Sequence, residues 1–214
     1  FYRDSFWQVK KAGGLAEIER QLDWWHAVWG DWLGILAGVT TKKTLLDVGC
    51  GYGHFPAFAR TEGWFSVGME LNAEAAKYAS ESLGVTLTRA LPARGYGAAS
   101  LLWVLEHVLD PAAMLADVAE VADAVLLVVP NEFTEDQRRA NEVASVKDWW
   151  VDETHLNYFT PKTLEVILLA TGWWPAWWGV TYPMEQFILE GSDYTANQEL
   201  GRSLHGAVRL LETS

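Results

Sequence analysis

From residue 44 onward the chain alternates short apolar runs with helix-period segments, a pattern that predicts a parallel sheet wound with helices on both faces. Apolar runs at 44–48, 65–70, 85–88, 100–104 and 124–129 predict five successive strands, with helices at 54–62, 73–83 and 111–121 between them. Upstream, Leu22, Trp25, Trp29, Trp32 and Leu36 recur at spacings of three and four, which puts them on one face of a helix that Gly30 and Gly34 weaken. Residues 1–40 are therefore expected to form one or two amphipathic helices that cap the core. After the fifth strand, residues 132–159 make a connection far longer than a simple crossover needs, with a charged helical piece at 134–143 and Trp149-Trp150 beyond it. Thr160-Pro161 then opens a helix, Thr as N-cap and Pro in the first turn, which runs to about Thr171 and stops at Gly172. Residues 173–181 and 183–189 read as two last strands, and the tail from Asp193 as a helix with Arg202, His205 and Arg209 near one face. The expectation is one domain over 1–214: cap 1–40, α/β core 44–190 with its insertion 132–159, and helical tail 191–214.

Composition narrows the classes of partner. Half of the 214 residues are apolar, enough for a full core, and no uncharged apolar run approaches the roughly 18 residues that span a membrane. Lys plus Arg is 16 against 28 for Asp plus Glu, a net charge of −12, and no basic stripe stands out. Nucleic acid is thereby disfavoured as a partner, because binding its backbone rests on clustered positive charge. Cys50 is the only cysteine, which excludes an internal disulfide and a cysteine-based zinc site and suits a reducing, cytoplasmic compartment. The 13 tryptophans, paired at 24–25, 149–150, 173–174 and 177–178, are expected to serve mainly as packing, with an aromatic ligand wall as the less common use.

Candidate chemistry concentrates where the first strand ends. Leu45-Leu46-Asp47-Val48-Gly49-Cys50-Gly51-Tyr52-Gly53-His54 is a buried strand running into a turn with glycines at alternate positions. Glycine admits φ > 0 and lets a ligand lie against the backbone, while the first N–H groups of the next helix face it. A dinucleotide fingerprint would place its third glycine at His54, and Asp47 would repel a pyrophosphate while suiting an ammonium group. A glycine-rich turn of purely structural purpose is the other reading. The segment Asp47-x-Gly49-x-Gly51-x-Gly53 resembles the first motif of the class I S-adenosylmethionine-dependent methyltransferases.

That resemblance implies a Rossmann-like, seven-stranded, mostly parallel sheet with helices on both faces, in which 173–181 and 183–189 are the antiparallel edge hairpin. S-adenosylmethionine would lie along Asp47, Gly49, Cys50, Gly51 and Gly53. Glu70, 23 residues after Asp47, ends the second strand where a carboxylate can accept both hydroxyl protons of a ribose, with Leu71 beside it. The family's usual acid near the adenine is missing after the third strand, where Ala90 and Leu91 would give backbone and apolar contact instead, and relatives commonly have Asp where this chain has Gly97.

Leu105-Glu106-His107-Val108-Leu109-Asp110-Pro111 resembles a segment of small-molecule members, including those of ubiquinone and menaquinone biosynthesis. It follows Trp103, assigned to the cofactor pocket, at the carboxyl end of the fourth strand. His107 there, and His155 in the insertion, are the candidate bases, since an imidazole pKa near roughly 6.5 suits proton removal at neutral pH. Relatives that use a divalent metal carry a second Glu at the Trp103 position, so no metal is expected. The functional expectation is methyl transfer to a small molecule, oxygen being the preferred acceptor, with a nitrogen or carbon acceptor or an inactive scaffold as alternatives. A homodimer is compatible with the sequence.

Overall fold

A computed structural model describes residues 14–93, 95–131, 133–143, 154–179 and 209–213. Helices α1 (Gly14–Arg20) and α2 (Leu22–Val39) precede an alternating series: β1 (Thr44–Val48), α3 (His54–Thr61), β2 (Phe65–Met69), α4 (Ala73–Glu81), β3 (Thr86–Thr88) and β4 (Tyr96–Leu102). A 3-10 turn, Leu105–His107, leads to α5 (Pro111–Ala119), β5 (Ala122–Val128), α6 (Glu135–Val143), α7 (Pro161–Ala170), β6 (Trp173–Trp178) and β7 (Arg209–Thr213). The fold is α/β and Rossmann-like, with β1 to β5 parallel in the order β3-β2-β1-β4-β5.

Successive side chains on a strand point to opposite faces, and β1 shows what this does here. Leu45 packs with Trp29, Trp32, Leu36 and Phe55 on the side of α2 and α3. Leu46 and Val48 pack on the other face with Leu115, Leu164 and Trp173. Trp32 and Leu36 are fully buried, so the sequence-predicted face of α2 is a true core face, and each such side chain contributes about 1.5–3 kcal/mol. Gly30 and Gly34 leave that helix unbroken. The buried Trp173 indole donates to Leu115 O at 3.0 Å, satisfying its only polar group.

Several expectations shift. Strand β4 begins at Tyr96, not Ser100, because Ala98 and Ala99 pair with Leu45 and Leu46 of β1. Strand β6 pairs antiparallel with β7, which also pairs with β5, a partner the expected edge hairpin of 173–181 with 183–189 did not include. Residues 209–213 are thus extended, against the helix expected for the tail, while 183–189, Arg202, His205 and Trp149-Trp150 lie outside the described residues. No helix among the described residues is long and apolar enough to cross a membrane.

Candidate active site

Strand order reverses between β1 and β4, and in open parallel sheets the crevice at the carboxyl ends beside such a switch is where ligands bind. The loop after β1, Glu70 after β2, Thr88–Leu91 after β3, Trp103–His107 after β4 and Asn131 after β5 all fall on that edge.

The glycine loop is built as its sequence requires. Gly49, Gly51 and Gly53 have φ of 73°, 55° and 81°, a region closed to most side chains. A Cβ on Gly49 would stand 2.7 Å from Val104 Cγ2, and one on Gly53 2.7 Å from Ala79 Cβ, so the loop lies tight between β4 and α4. The N–H groups of Gly49 and Cys50 both donate to Met69 O, at 2.8 and 3.0 Å, anchoring the turn to the end of β2. The Cys50 thiol turns inward: a Cβ added to Gly68 would come within 2.6 Å of its sulfur. Burial, then the charges of Asp47 and Glu70, push that thiol's pKa up, so of the residues assigned to the cofactor Cys50 offers its backbone and a packing role rather than a reactive group.

Two acids flank the loop. Asp47 is 2% exposed, and its Oδ1 accepts from Ser100 Oγ at 2.6 Å across the β1–β4 pair. Burial pushes its carboxyl up to about 7, against the lowering by Ser100 and with a smaller rise from Glu70. Ser100 was not singled out from sequence. Glu70 places Oε2 on the Gly51 N–H at 2.8 Å and Oε1 on the Asn72 N–H at 2.7 Å. Burial raises its pKa, and the N–H groups of Asn72, Gly51 and Leu71 pull it back. Each carboxylate oxygen has a second lone pair, so ribose hydroxyls fit this acid without displacing the loop. Leu71 beside it is exposed.

At the end of β3, Thr88 Oγ1 donates to Ala90 O at 2.8 Å, Ala90 is exposed, and Leu91 is half-buried against the core. The absence of an acid at Gly97 has a local cause: a Cβ there would lie 2.1 Å from Lys42 O. From the cap, Glu19 of α1 accepts from the Tyr78 hydroxyl at 2.7 Å, and Tyr78 meets the rings of Tyr52 and His54 at the glycine loop.

Trp103 closes the same edge. Its φ of 54° is unusual for a bulky residue, and its half-exposed ring meets Trp25 edge-on at 5.9 Å and Trp32 at 6.1 Å. Phe133, after β5, has φ 59° and is exposed. Both are left-handed backbone conformations that cost bulky residues free energy, and both stand just past the carboxyl ends of β4 and β5.

The two histidines come together. Their rings are 4.9 Å apart at 69°, although 47 residues separate His107 from the neighbouring Thr154. His107 Nδ1 lies 3.0 Å from Thr154 O; a carbonyl only accepts, so Nδ1 carries a proton. Its Nε2 stands 4.0 Å from Oε1 of Glu106, whose side chain is 1% exposed. The segment bearing His155 is fastened by backbone: Leu156 and Asn157 N–H donate to Glu106 O at 2.7 and 3.0 Å. Asn157 Nδ2 also reaches Val108 O at 2.7 Å. Thr154 and Asn157 thus join the segment bearing His155 to the turn bearing His107, contacts that no spacing in the sequence marks. Where the sequence offered only Glu106 and His107 as metal-ligating groups, the structure brings His155 to them, with one ligand atom of each within 4.8 Å of the others.

The backbone fold is shared with known proteins. The backbone is similar to an amino pentose methyltransferase of calicheamicin biosynthesis from Micromonospora echinaspora, solved with S-adenosylmethionine, at TM-score 0.62 and 18% identity over 89% of this chain and 92% of that one. It is similar to the plantazolicin methyltransferase BpumL bound to S-adenosylhomocysteine, at TM-score 0.66 and 14% identity over 100% and 92% of the two chains. It is also similar to the magnesium protoporphyrin IX methyltransferase of Synechocystis PCC 6803, at TM-score 0.56 and 20% identity over 87% and 78%. No curated protein matches the chain in sequence. A family profile described as a methyltransferase domain matches residues 21–174, from the residue before α2 to the start of β6 and across the glycine loop, Glu70, Trp103 and both histidines, so the chain belongs to that family as an S-adenosylmethionine-dependent methyltransferase of the class I fold.

Proposed function

We propose that this protein methylates an oxygen atom of a small molecule. The observation that carries the reading is the pairing of His107 and His155 on the same sheet edge as the glycine loop and Glu70. S-adenosylmethionine supplies an electrophilic methyl group on its sulfonium sulfur. Glu70 and the Gly49–Gly53 backbone hold the nucleoside side of that molecule, and Asp47, when ionised, favours its ammonium group. Leu71, Ala90 and Leu91 line the adenine, and Trp103 with Trp25 walls the acceptor side and keeps water away. His107 Nε2 removes the acceptor's proton, its tautomer fixed by Thr154 O, and His155 packs against it to orient the acceptor. Alignment of acceptor and donor is the larger share of the rate, as in other two-substrate transfers. The β6–β7 edge supports reading the sheet as the full seven-stranded form of the fold.

A panel of phenols, aliphatic alcohols, carboxylic acids and amines incubated with radiolabelled S-adenosylmethionine tests the reading. Label in an ether or ester is the expected result. Label in a base-stable amine makes the acceptor nitrogen, and binding of S-adenosylhomocysteine without transfer to any host extract leaves a cofactor-binding scaffold.

A further inference from the structure

We propose that Trp103 and Phe133 clamp a flat aromatic ring, and that this ring carries the hydroxyl that is methylated. The inference rests on the reading of this edge as an oxygen-acceptor site and names the substrate class that the site takes.

Neither side chain sits where packing alone would put it. Trp103 and Phe133 are the two non-glycine residues with positive φ among the described residues, at 54° and 59°, and both are large aromatics. A left-handed backbone is disfavoured by a Cβ, and a turn that needs one is ordinarily given to Gly, Asn or Asp. Burial does not offset that cost, because Trp103 is 43% and Phe133 63% exposed. The conformation instead holds an aromatic ring at the surface just beyond β4 and just beyond β5, on the edge where open parallel sheets bind ligands.

Both rings are braced by other rings, and both are joined to the histidines. Strands β4 and β5 are parallel neighbours with Leu102 opposite Val128, and the Trp103 N–H donates to Val128 O at 2.8 Å, so the two loops leave the sheet side by side. The Trp103 indole meets Trp25 and Trp32, both from α2. Phe133 meets Tyr158 at 5.8 Å, Tyr158 meets His155 at 6.0 Å, and His155 meets His107 at 4.9 Å. A ladder of ring contacts thus runs from Phe133 to the histidine pair, while Trp103 stands four residues before His107 in the same loop. Rigid rings supported in this way offer contact area at little entropic cost, and a further aromatic ring stacks on them or meets them edge-on with centroids roughly 4.5–7 Å apart. A saturated acceptor gains only the general burial of apolar area.

Proton removal points the same way. A phenol titrates near about 10 and an aliphatic alcohol near water's value of about 16, against about 6.5 for an unperturbed imidazole. A histidine base therefore works across a gap of roughly 3.5 pH units with a phenol and roughly 9 with an alkanol. As the ring oxygen bonds to the methyl carbon, the carbon–sulfur electron pair returns to sulfur and the hydroxyl proton passes to the histidine. The products are an aryl methyl ether and S-adenosylhomocysteine.

The test compares 2-naphthol with its saturated counterpart, decahydro-2-naphthol, in binding to the full chain saturated with S-adenosylhomocysteine and in label transfer from radiolabelled S-adenosylmethionine. The expected result is binding of 2-naphthol roughly tenfold tighter than of the saturated alcohol, with label in the aryl ether. Trp103→Leu and Phe133→Leu should each remove most of that preference, with S-adenosylhomocysteine affinity retained in Phe133→Leu. Phe133→Gly separates a clamp from packing, since it deletes the ring and eases the backbone: its melting temperature should hold or rise while 2-naphthol affinity falls. No preference for 2-naphthol over the saturated alcohol overturns the clamp, and so does a preference that both Leu variants keep. A lower melting temperature in Phe133→Gly with 2-naphthol affinity unchanged overturns it equally. Label in the oxygen of both alcohols at equal rates would remove the clamp and leave the oxygen-acceptor reading standing. Ring-dependent binding that the variants abolish, with no transfer to oxygen, would keep the clamp and count against that reading.

Discussion

The Glu70 carboxylate accepts the backbone N–H of Gly51 at 2.8 Å, so the acid that follows β2 is fastened to the loop that follows β1. One side chain thereby shapes the loop, and it is also the side chain proposed to meet the ribose. Replacing it tests both roles at once. Glu70→Ala is expected to weaken S-adenosylhomocysteine by roughly ten- to a hundredfold, the loss of about 1.5–3 kcal/mol for a charged hydrogen-bond partner. Glu70→Gln, which keeps an acceptor oxygen for the loop, should fall between Ala and wild type. Isothermal titration reads the series, and an Ala variant that binds like wild type would place the ribose elsewhere.

Asp47 makes the unliganded protein sensitive to pH. Its native pKa of about 7 lies above the 3.8 of an unperturbed aspartate, so the folded state holds the proton more tightly. The stability it contributes is fully present below the unfolded pKa and is lost as pH rises through 7. At 1.36 kcal/mol per pH unit the whole effect is roughly 4 kcal/mol. Urea melts across this range should show Asp47→Asn with a flatter profile than wild type. Because an ammonium beside Asp47 favours its ionised form, cofactor binding just below neutrality should release a proton, visible as a dependence of binding heat on the buffer's ionisation enthalpy.

Gly97 should resist the acid that relatives carry. Its Cβ position is occupied by Lys42 O at 2.1 Å and Lys42 Cβ at 2.6 Å, so Gly97→Asp forces the segment before β1 to move. A loss of about 1–3 kcal/mol is expected from such overpacking. Gly63→Ala is the control: φ is 80° and nothing lies within 4 Å of the added carbon, so only backbone strain is incurred. Chemical melts that rank Gly97→Asp as the milder change would contradict the packing argument.

Turnover should depend on the histidine pair while cofactor affinity does not. His107→Gln removes the Nε2 lone pair and is expected to slow methyl transfer by roughly 10²–10⁴-fold. His155→Gln should be as severe if the two act together, and the double variant should then be little worse than either single one. Steady-state rates paired with S-adenosylhomocysteine titrations separate the two effects. Near-normal rates in all three variants would leave positioning as the only role of this edge.

The strands β1 to β3, α2 and the glycine loop were legible because each carries a strong local signal: a compact apolar run, a three-four periodicity, or glycines at alternate positions. Strand β4 was legible only in its second half. Tyr96, Gly97, Ala98 and Ala99 bear little apolar weight, and what makes them a strand is the register with β1, which no local window contains. Likewise β7, Arg209-Leu210-Leu211-Glu212-Thr213, shows no alternation of its own, and only its pairing with β5 and β6 makes it a strand. His155 could be named from sequence but not placed. The bonds that bring it to Glu106 and His107 run from main-chain N–H groups and one asparagine, groups with no characteristic spacing. Glu70 could be singled out because it is an acid ending a strand that follows a glycine loop, and the structure ties it to that loop, whereas Ser100, hidden within a strand, had nothing to mark it.

The pairing of β1 with β4 also bears on how the chain assembles. Leu45 meets Ala98 across more than fifty intervening residues, while β2 and β3 follow β1 through short helical crossovers. Closing the longer loop is the slower event, so an early species with β1, β2 and β3 in place would still lack β4. In that species Asp47 has no Ser100 hydroxyl and no wall on one side, and water keeps it an ordinary, ionised carboxylate. Docking of β4 seals it in and drives the uptake of a proton. Refolding in mildly acidic buffer should accordingly outpace refolding in alkaline buffer, with the difference abolished in Asp47→Asn, so that one buried carboxyl would also set when the two halves of the sheet join.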